Sequence, residues 1–131
     1  MSEKKYKPQL IARESAIKIL YQMIINDISL KEVMAGFVEK RPYDIKLLDK
    51  ILDEYVNNRD KIINLLDKKT DISFDNIPIL DLCIIQISIC EYMFVNNNSK
   101  KIIINEYINI AKKYSSPKMY MFLNKILDIT F

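Results

Sequence analysis

Residues 101–114 read K-I-I-I-N-E-Y-I-N-I-A-K-K-Y, from Lys101 to Tyr114. Whether this stretch is a strand or a helix decides the fold. Ile102, Ile103 and Ile104 are β-branched neighbours that suit a strand in isolation. The continuation argues the other way. Tyr107, Ile108, Ala111 and Tyr114 recur with the spacing of one helical face, and lysines and asparagines fill the positions between them. No alternation of apolar and polar residues runs far enough to pair in a sheet. The segment is a helix, and Asn96-Asn97-Asn98-Ser99 ends its predecessor and caps it.

The same periodicity extends in both directions. Ser115 or Ser116 caps a last helix with Pro117 at its first position, running to about Ile129. Pro78 opens a helix that is apolar nearly all round between Leu80 and Phe94, the pattern of a central buried helix. Gln86, Ser88 and Glu91 interrupt its richest run, Leu82 to Val95, which excludes a membrane span. At the other end Leu10, Ile17, Leu20, Tyr21 and Ile24 form a stripe on a first helix that ends at about Ile25. Ala12 and Ala16 on it are small enough for another helix to approach closely. Ser29 and Glu32 have capping-box spacing and start a second helix that carries Val33, Phe37 and Val38 inward. Arg41-Pro42 breaks it. Asp44 starts a third, with Ile45, Leu48, Ile51, Leu52 and Tyr55 as its stripe, and Asn57-Asn58 weakens or ends it. A fourth carries Ile62, Ile63, Leu65 and Leu66. A polar loop, Asp71 to Asn76, follows with Phe74 as its apolar anchor. The expectation is an all-α bundle of about seven helices in one domain, 1–131, with residues 1–7 as a flexible basic arm.

Composition narrows the chemistry. A chain of 131 residues with half of them hydrophobic can build a core without disulfides. One glycine and four prolines are too few turn residues for a β-rich fold. Cys83 and Cys90 lie seven positions apart on one helix, about 10 Å at about 1.5 Å per residue, too far for a disulfide. They are read as core thiols. With no histidine there is no ordinary base near neutral pH, and two cysteines alone make a poor zinc site. No glycine-rich loop offers a phosphate cradle. These features point to a binding protein, not an enzyme, with no cofactor or metal. The first eight residues lack the apolar run of a signal peptide, so the chain is expected to be cytoplasmic.

The net charge of +3 conceals a segregation. Residues 1–20 carry five basic side chains against two acidic ones, and residues 100–131 carry six against two, while the middle of the chain holds nine against thirteen. If the two ends pack side by side they form one basic face suited to a polyanion. The acidic middle suits a basic partner.

Four segments, in order, resemble the NusB family of transcription antitermination factors. A-R-E-S-A-I-K-I-L-Y-Q (Ala12–Gln22) resembles the family's opening helix. S-F-D-N-I-P (Ser73–Pro78) resembles the loop before its central helix. I-I-Q-I-S-I-C-E (Ile84–Glu91) resembles part of that helix. I-N-E (Ile104–Glu106), A-K (Ala111-Lys112) and F-L-N-K-I-L-D (Phe122–Asp128) resemble its C-terminal signature. The resemblance implies two packed bundles of three-helix type. It implies binding of boxA-type single-stranded RNA from ribosomal RNA transcripts together with the ribosomal protein NusE, within the RNA polymerase antitermination complex.

Residue roles follow from the resemblance alone. Lys4, Lys5, Lys7 and Arg13 lie where the family contacts RNA phosphates. Tyr21 and Phe122 match aromatics on which bases can stack, and core packing is the rival reading for both. Lys118 stands where many members have an acidic residue, and Lys125 where they have glycine. Asp75, Asp81 and Glu91 lie where the family docks its ribosomal protein. Asn105 and Asn124 are expected as buried structural amides, and Glu106 as a cap or the partner of a neighbouring lysine. Asn76, Leu82 and Gln86 replace common arginines, and Cys90 a common tyrosine. These departures support an alternative, a protein-interaction module that kept the fold and lost specific RNA binding. The apolar helix faces also leave a homodimer open. A NusB-like module precedes some ribosomal RNA cytosine methyltransferases, but no glycine-rich cofactor loop stands in this chain.

Overall fold

The computed structural model describes residues 7–69 and 76–130. Among them are six α-helices and no strand: α1 (Pro8–Asn26), α2 (Leu30–Ala35), α3 (Ile45–Lys69), α4 (Ile79–Cys90), α5 (Lys100–Tyr114) and α6 (Pro117–Thr130). A π-helical turn, Glu91–Val95, continues α4.

The helix ends follow local chemistry. Pro8 stands in the first turn of α1, where its missing N–H has no bond to lose. Asp27, left-handed at φ 51°, closes that helix by donating its N–H to Met23 O. Ser29 and Glu32 form the reciprocal capping box that their spacing predicts. Asp44 Oδ1 accepts from the Leu47 N–H at 2.9 Å and caps α3. Ser99 caps α5 through the Ile102 N–H, and Ser116, not Ser115, caps α6 through the Met119 N–H.

Two expectations are corrected. The third and fourth predicted helices are one helix of 25 residues, α3. Asn57-Asn58 does not end it, because Asn58 Nδ2 turns back onto Glu54, donating to its carbonyl at 2.8 Å and its carboxylate at 3.0 Å. The amide thus bonds to the preceding turn instead of drawing the backbone out of the helix. The total is six helices because of this merger. The second correction is the widened turn after Cys90, where the Asn96 N–H reaches Glu91 O at 2.8 Å. Asn96 itself is left-handed at φ 55°, a conformation asparagine tolerates better than most residues. The loop expectation around Phe74 and Asp75 lies outside the described residues.

The helices form two groups. α1, α2 and α3 pack as one bundle and α4, α5 and α6 as the other, with α4 also lying against α1 and α3. That position explains its composition: Cys83, Ile84, Ile85, Ile87, Ile89 and Cys90 are all fully buried. Ala12 and Ala16 are likewise fully buried on α1, where small side chains permit close helix approach. Both cysteines are free, and burial pushes each thiol up to about 12. No helix among the described residues is long and apolar enough to cross a membrane.

Candidate nucleic-acid interface

The strongest interaction beside the proposed basic face lies inside the molecule. Arg13 on α1 makes a two-pronged bond to Glu91, with Nε donating to Oε1 and Nη2 to Oε2, both at 2.8 Å. The Tyr107 hydroxyl of α5 donates to Glu91 Oε1 at 2.6 Å. Glu91 is 0% exposed and Arg13 4%. Burial favours the neutral guanidine, but the Glu91 bonds and charge outweigh it and raise the Arg13 pKa. Burial first, and the Glu91 charge second, hold the Tyr107 hydroxyl well above its ordinary value. The Arg13 guanidinium is therefore charged, and these bonds tie α1, the π-turn and α5 together. Arg13 Nη1 also donates to Glu106 Oε1, at a longer 3.3 Å.

This placement corrects the expectation that Arg13 is a phosphate contact. Its fork already faces a carboxylate. It also corrects Glu91 as a partner-facing residue. Asp81 joins it: buried at the start of α4, Asp81 accepts a hydrogen bond from the Ser115 hydroxyl. Asp75, Lys4 and Lys5 lie outside the described residues. Glu106 pairs with Arg13 rather than with a lysine. Asn105 and Asn124, expected inside, are exposed.

The remaining expected contacts are accessible to different degrees. Lys7 is exposed immediately before α1, and Tyr21 is 37% exposed two-thirds of the way along it. Lys118 is exposed in the first turn of α6. Phe122, one turn later, is half-buried and packs partly against the core. The basic ends do meet, through α5: Lys113 Nζ lies 2.9 Å from buried Glu14 on α1, with Arg41 3.8 Å away on the other carboxylate oxygen. Lys113 is thereby held by an internal carboxylate. Lys112 sits over the Tyr120 ring, 5.5 Å from its centroid, which pre-places a cation beside an aromatic.

A cleft of about 380 Å³ opens between the first turns of α1 and α3 and the loop into α5. The Asp44 N–H, bonded to Pro8 O at 3.1 Å, holds two of those elements together. Lys7, Gln9, Asn97, Asn98, Ile102 and Glu106 line it. Sequence alone gives Asn97 and Asn98 the roles of ending one helix and capping the next. Their reach into the cleft depends on the π-turn and the left-handed Asn96, which sequence periodicity does not reveal. The departures from the family pattern are accommodated locally. Gln86 Oε1 accepts from the Tyr55 hydroxyl at 2.6 Å, and Cys90 Sγ donates to Ile51 O at 3.4 Å.

The fold defines the class first: small all-helical proteins in which two three-helix bundles pack together through a central buried helix. Within it, this chain belongs to the NusB family, whose family model matches residues 10–130. It is 32% identical over 120 residues to the transcription antitermination protein NusB of Finegoldia magna, covering 88% of each chain. It is 32% identical over 124 residues to the transcription antitermination protein NusB of Clostridium botulinum, covering 90% of this chain and 93% of that one. The fold is similar to that of solved T. maritima NusB, with a TM-score of 0.82 at 22% identity, covering 95% of this chain and 90% of the other. It is also similar to that of a crystal structure of NusB and NusE with double-stranded RNA, with a TM-score of 0.76 at 19% identity, covering 91% and 92%.

Proposed function

We propose that this chain is a transcription antitermination factor. It binds boxA-type single-stranded RNA together with the ribosomal protein NusE and enters the RNA polymerase antitermination complex. It acts in the cytoplasm, by binding and without catalysing a reaction, as one RNA-binding domain over residues 1–131. The observation that carries this reading is family membership across nearly the whole chain, with relatives that are transcription antitermination proteins. Exposed Lys7, Tyr21 and Lys118 and half-buried Phe122 support it as phosphate and base contacts, with Lys4 and Lys5 extending the basic run in sequence.

The test is a fluorescence anisotropy titration of boxA-type and scrambled RNA at low and raised salt, with and without NusE. Tighter binding of the boxA-type RNA, strengthened by NusE, is expected. Equal weak binding of both RNAs in every condition would overturn the proposal.

A second reading is a protein-interaction module that no longer recognises RNA. Burial of Arg13 favours it, since the one arginine in the opening motif serves the interior. Replacing Lys4, Lys5 and Lys7 together by alanine separates the two readings. Lost RNA affinity supports the first, and unchanged affinity the second.

A further inference from the structure

We propose that the cleft between α1, α3 and the Asn96–Ser99 loop is a pocket for one extruded RNA base, and that it selects guanine through Glu106. The inference rests on the RNA-binding reading above. It starts from the charges in the cleft. Among the described residues that line it, Lys7 is the one cation not already matched, because the Arg13 guanidinium is held by Glu91. Against Lys7 stand Glu106 and Asp44, the latter engaged as the cap of α3. The carboxylates of Glu106 and Asp44 on its described walls disfavour a phosphate beside them, whereas a base carries no charge. Lys7 at the rim is placed for the phosphate that precedes or follows the base.

The floor and walls suit a base. Ile102 is 46% exposed, an apolar surface left open at the start of a helix. Asn97, Asn98 and Gln9 bring amides that both donate and accept, as the edge of a base requires. Glu106 is the selective group. Its side chain is 38% exposed, and its bond from Arg13 engages Oε1 at 3.3 Å. A carboxylate has about four acceptor positions, so Glu106 keeps capacity for a ligand. Only guanine offers two adjacent donors, N1–H and the N2 amine, on its Watson–Crick edge. Adenine and cytosine offer one amine each, and uracil one ring N–H. Single-stranded RNA is recognised by hydrogen bonds to such edges once a base is splayed from the stack. Arg13, bonded to both Glu91 and Glu106, fixes where the carboxylate points.

The probe is a guanine-containing boxA-type RNA and the same RNA with inosine at guanine, which lacks only the N2 amine. Wild-type protein is expected to bind the inosine RNA about five- to a hundredfold more weakly. Glu106→Gln is expected to bind both RNAs alike, and Asn97→Ala with Asn98→Ala to lose affinity for the guanine form. Circular dichroism of each variant checks the fold, and should Glu106→Gln not fold, the inosine comparison in wild-type protein decides alone. Preference for boxA-type over scrambled RNA, undiminished by inosine, overturns this inference and leaves the functional proposal standing. Discrimination against inosine that survives in Glu106→Gln removes Glu106 as the selective group. No preference for boxA-type RNA at all overturns the functional proposal, and the pocket with it.

Discussion

At the residue scale, the chemistry of this protein turns on carboxylates that have gone inside. Glu91 is buried against Arg13 and Tyr107, and the network satisfies all three groups. Removing one member of the Arg13–Glu91 pair strands the other's charge. Arg13→Ala is expected to cost about 3–5 kcal/mol, because Glu91 stays buried without its counterion. Urea denaturation followed by circular dichroism measures it, and an unchanged midpoint would return Arg13 to the list of surface contacts. Glu39 gives a pH dependence. The Arg41 hydrogen bonds lower its pKa from 4.5 to about 2. The folded value lies below the unfolded one, so the unfolded chain binds the proton more readily. The stabilisation is complete above pH 4.5 and is lost as pH falls toward 2. Glu39→Gln should therefore flatten the loss of stability across that window, as acid titration of the melting temperature would show. Cys83 and Cys90, with thiols near 12, should resist a thiol reagent at pH 8 in the native protein and react once it is unfolded.

At the element scale, the caps were legible and the interruptions were not. Ser29 with Glu32, Ser99 and Pro117 each announce a helix start through a bond or a missing donor within four residues. Such signals act before tertiary structure forms. Asn57-Asn58 carries the opposite signal, yet α3 runs through it. The stripe continues on both sides, with Tyr55 and Ile62 buried against the core, and packing overrides weak propensity. The π-turn is the other case. One extra residue per turn turns the chain differently after Cys90 and buries the Glu91 carboxylate against Arg13, and no residue type encodes it locally. Ser99→Ala is expected to cost about 0.5–2 kcal/mol by removing the α5 cap. The same variant loosens the loop that carries Asn97 and Asn98. Thermal unfolding reads the first effect, and hydrogen exchange at the amides of residues 96–102 reads the second.

At the scale of the whole molecule, charge segregation becomes a partly internal affair. The basic ends approach through α5, where Lys113 meets Glu14. That contact consumes one lysine of the counted excess, as Glu91 consumes Arg13. Lys100 also lies 3.8 Å from Asp128, and the working of the remaining exposed lysines on a polyanion should show in salt dependence. For single-stranded RNA the slope of log affinity against log salt is about −0.7 per phosphate neutralised. Lys7→Ala with Lys118→Ala should make that slope shallower by about 1.4 in total if both touch phosphate. Tyr21→Ala should weaken binding by about 1–3 kcal/mol if a base stacks on it, with the salt slope unchanged. An unchanged slope in the lysine variant would place the phosphate contacts elsewhere.

The sequence by itself determined the helical class, most helix starts, the buried character of α4 and the family. Each rests on periodicity, composition or bonds between near neighbours, which the chain carries without reference to its fold. Tertiary structure alone decided which charges are available. Arg13, Asp81 and Glu91 looked like surface groups because ionised side chains usually are. They are interior because residues 78 to 93 positions away from Arg13, or 34 from Asp81, supply their partners. A buried charge is tolerated only where such a partner arrives, and that arrival depends on how α1, α4 and α5 cross. The helix read from Lys101 to Tyr114 was right as a helix, but only the fold placed Ile102 and Glu106 on an open cleft and Tyr107 against Glu91.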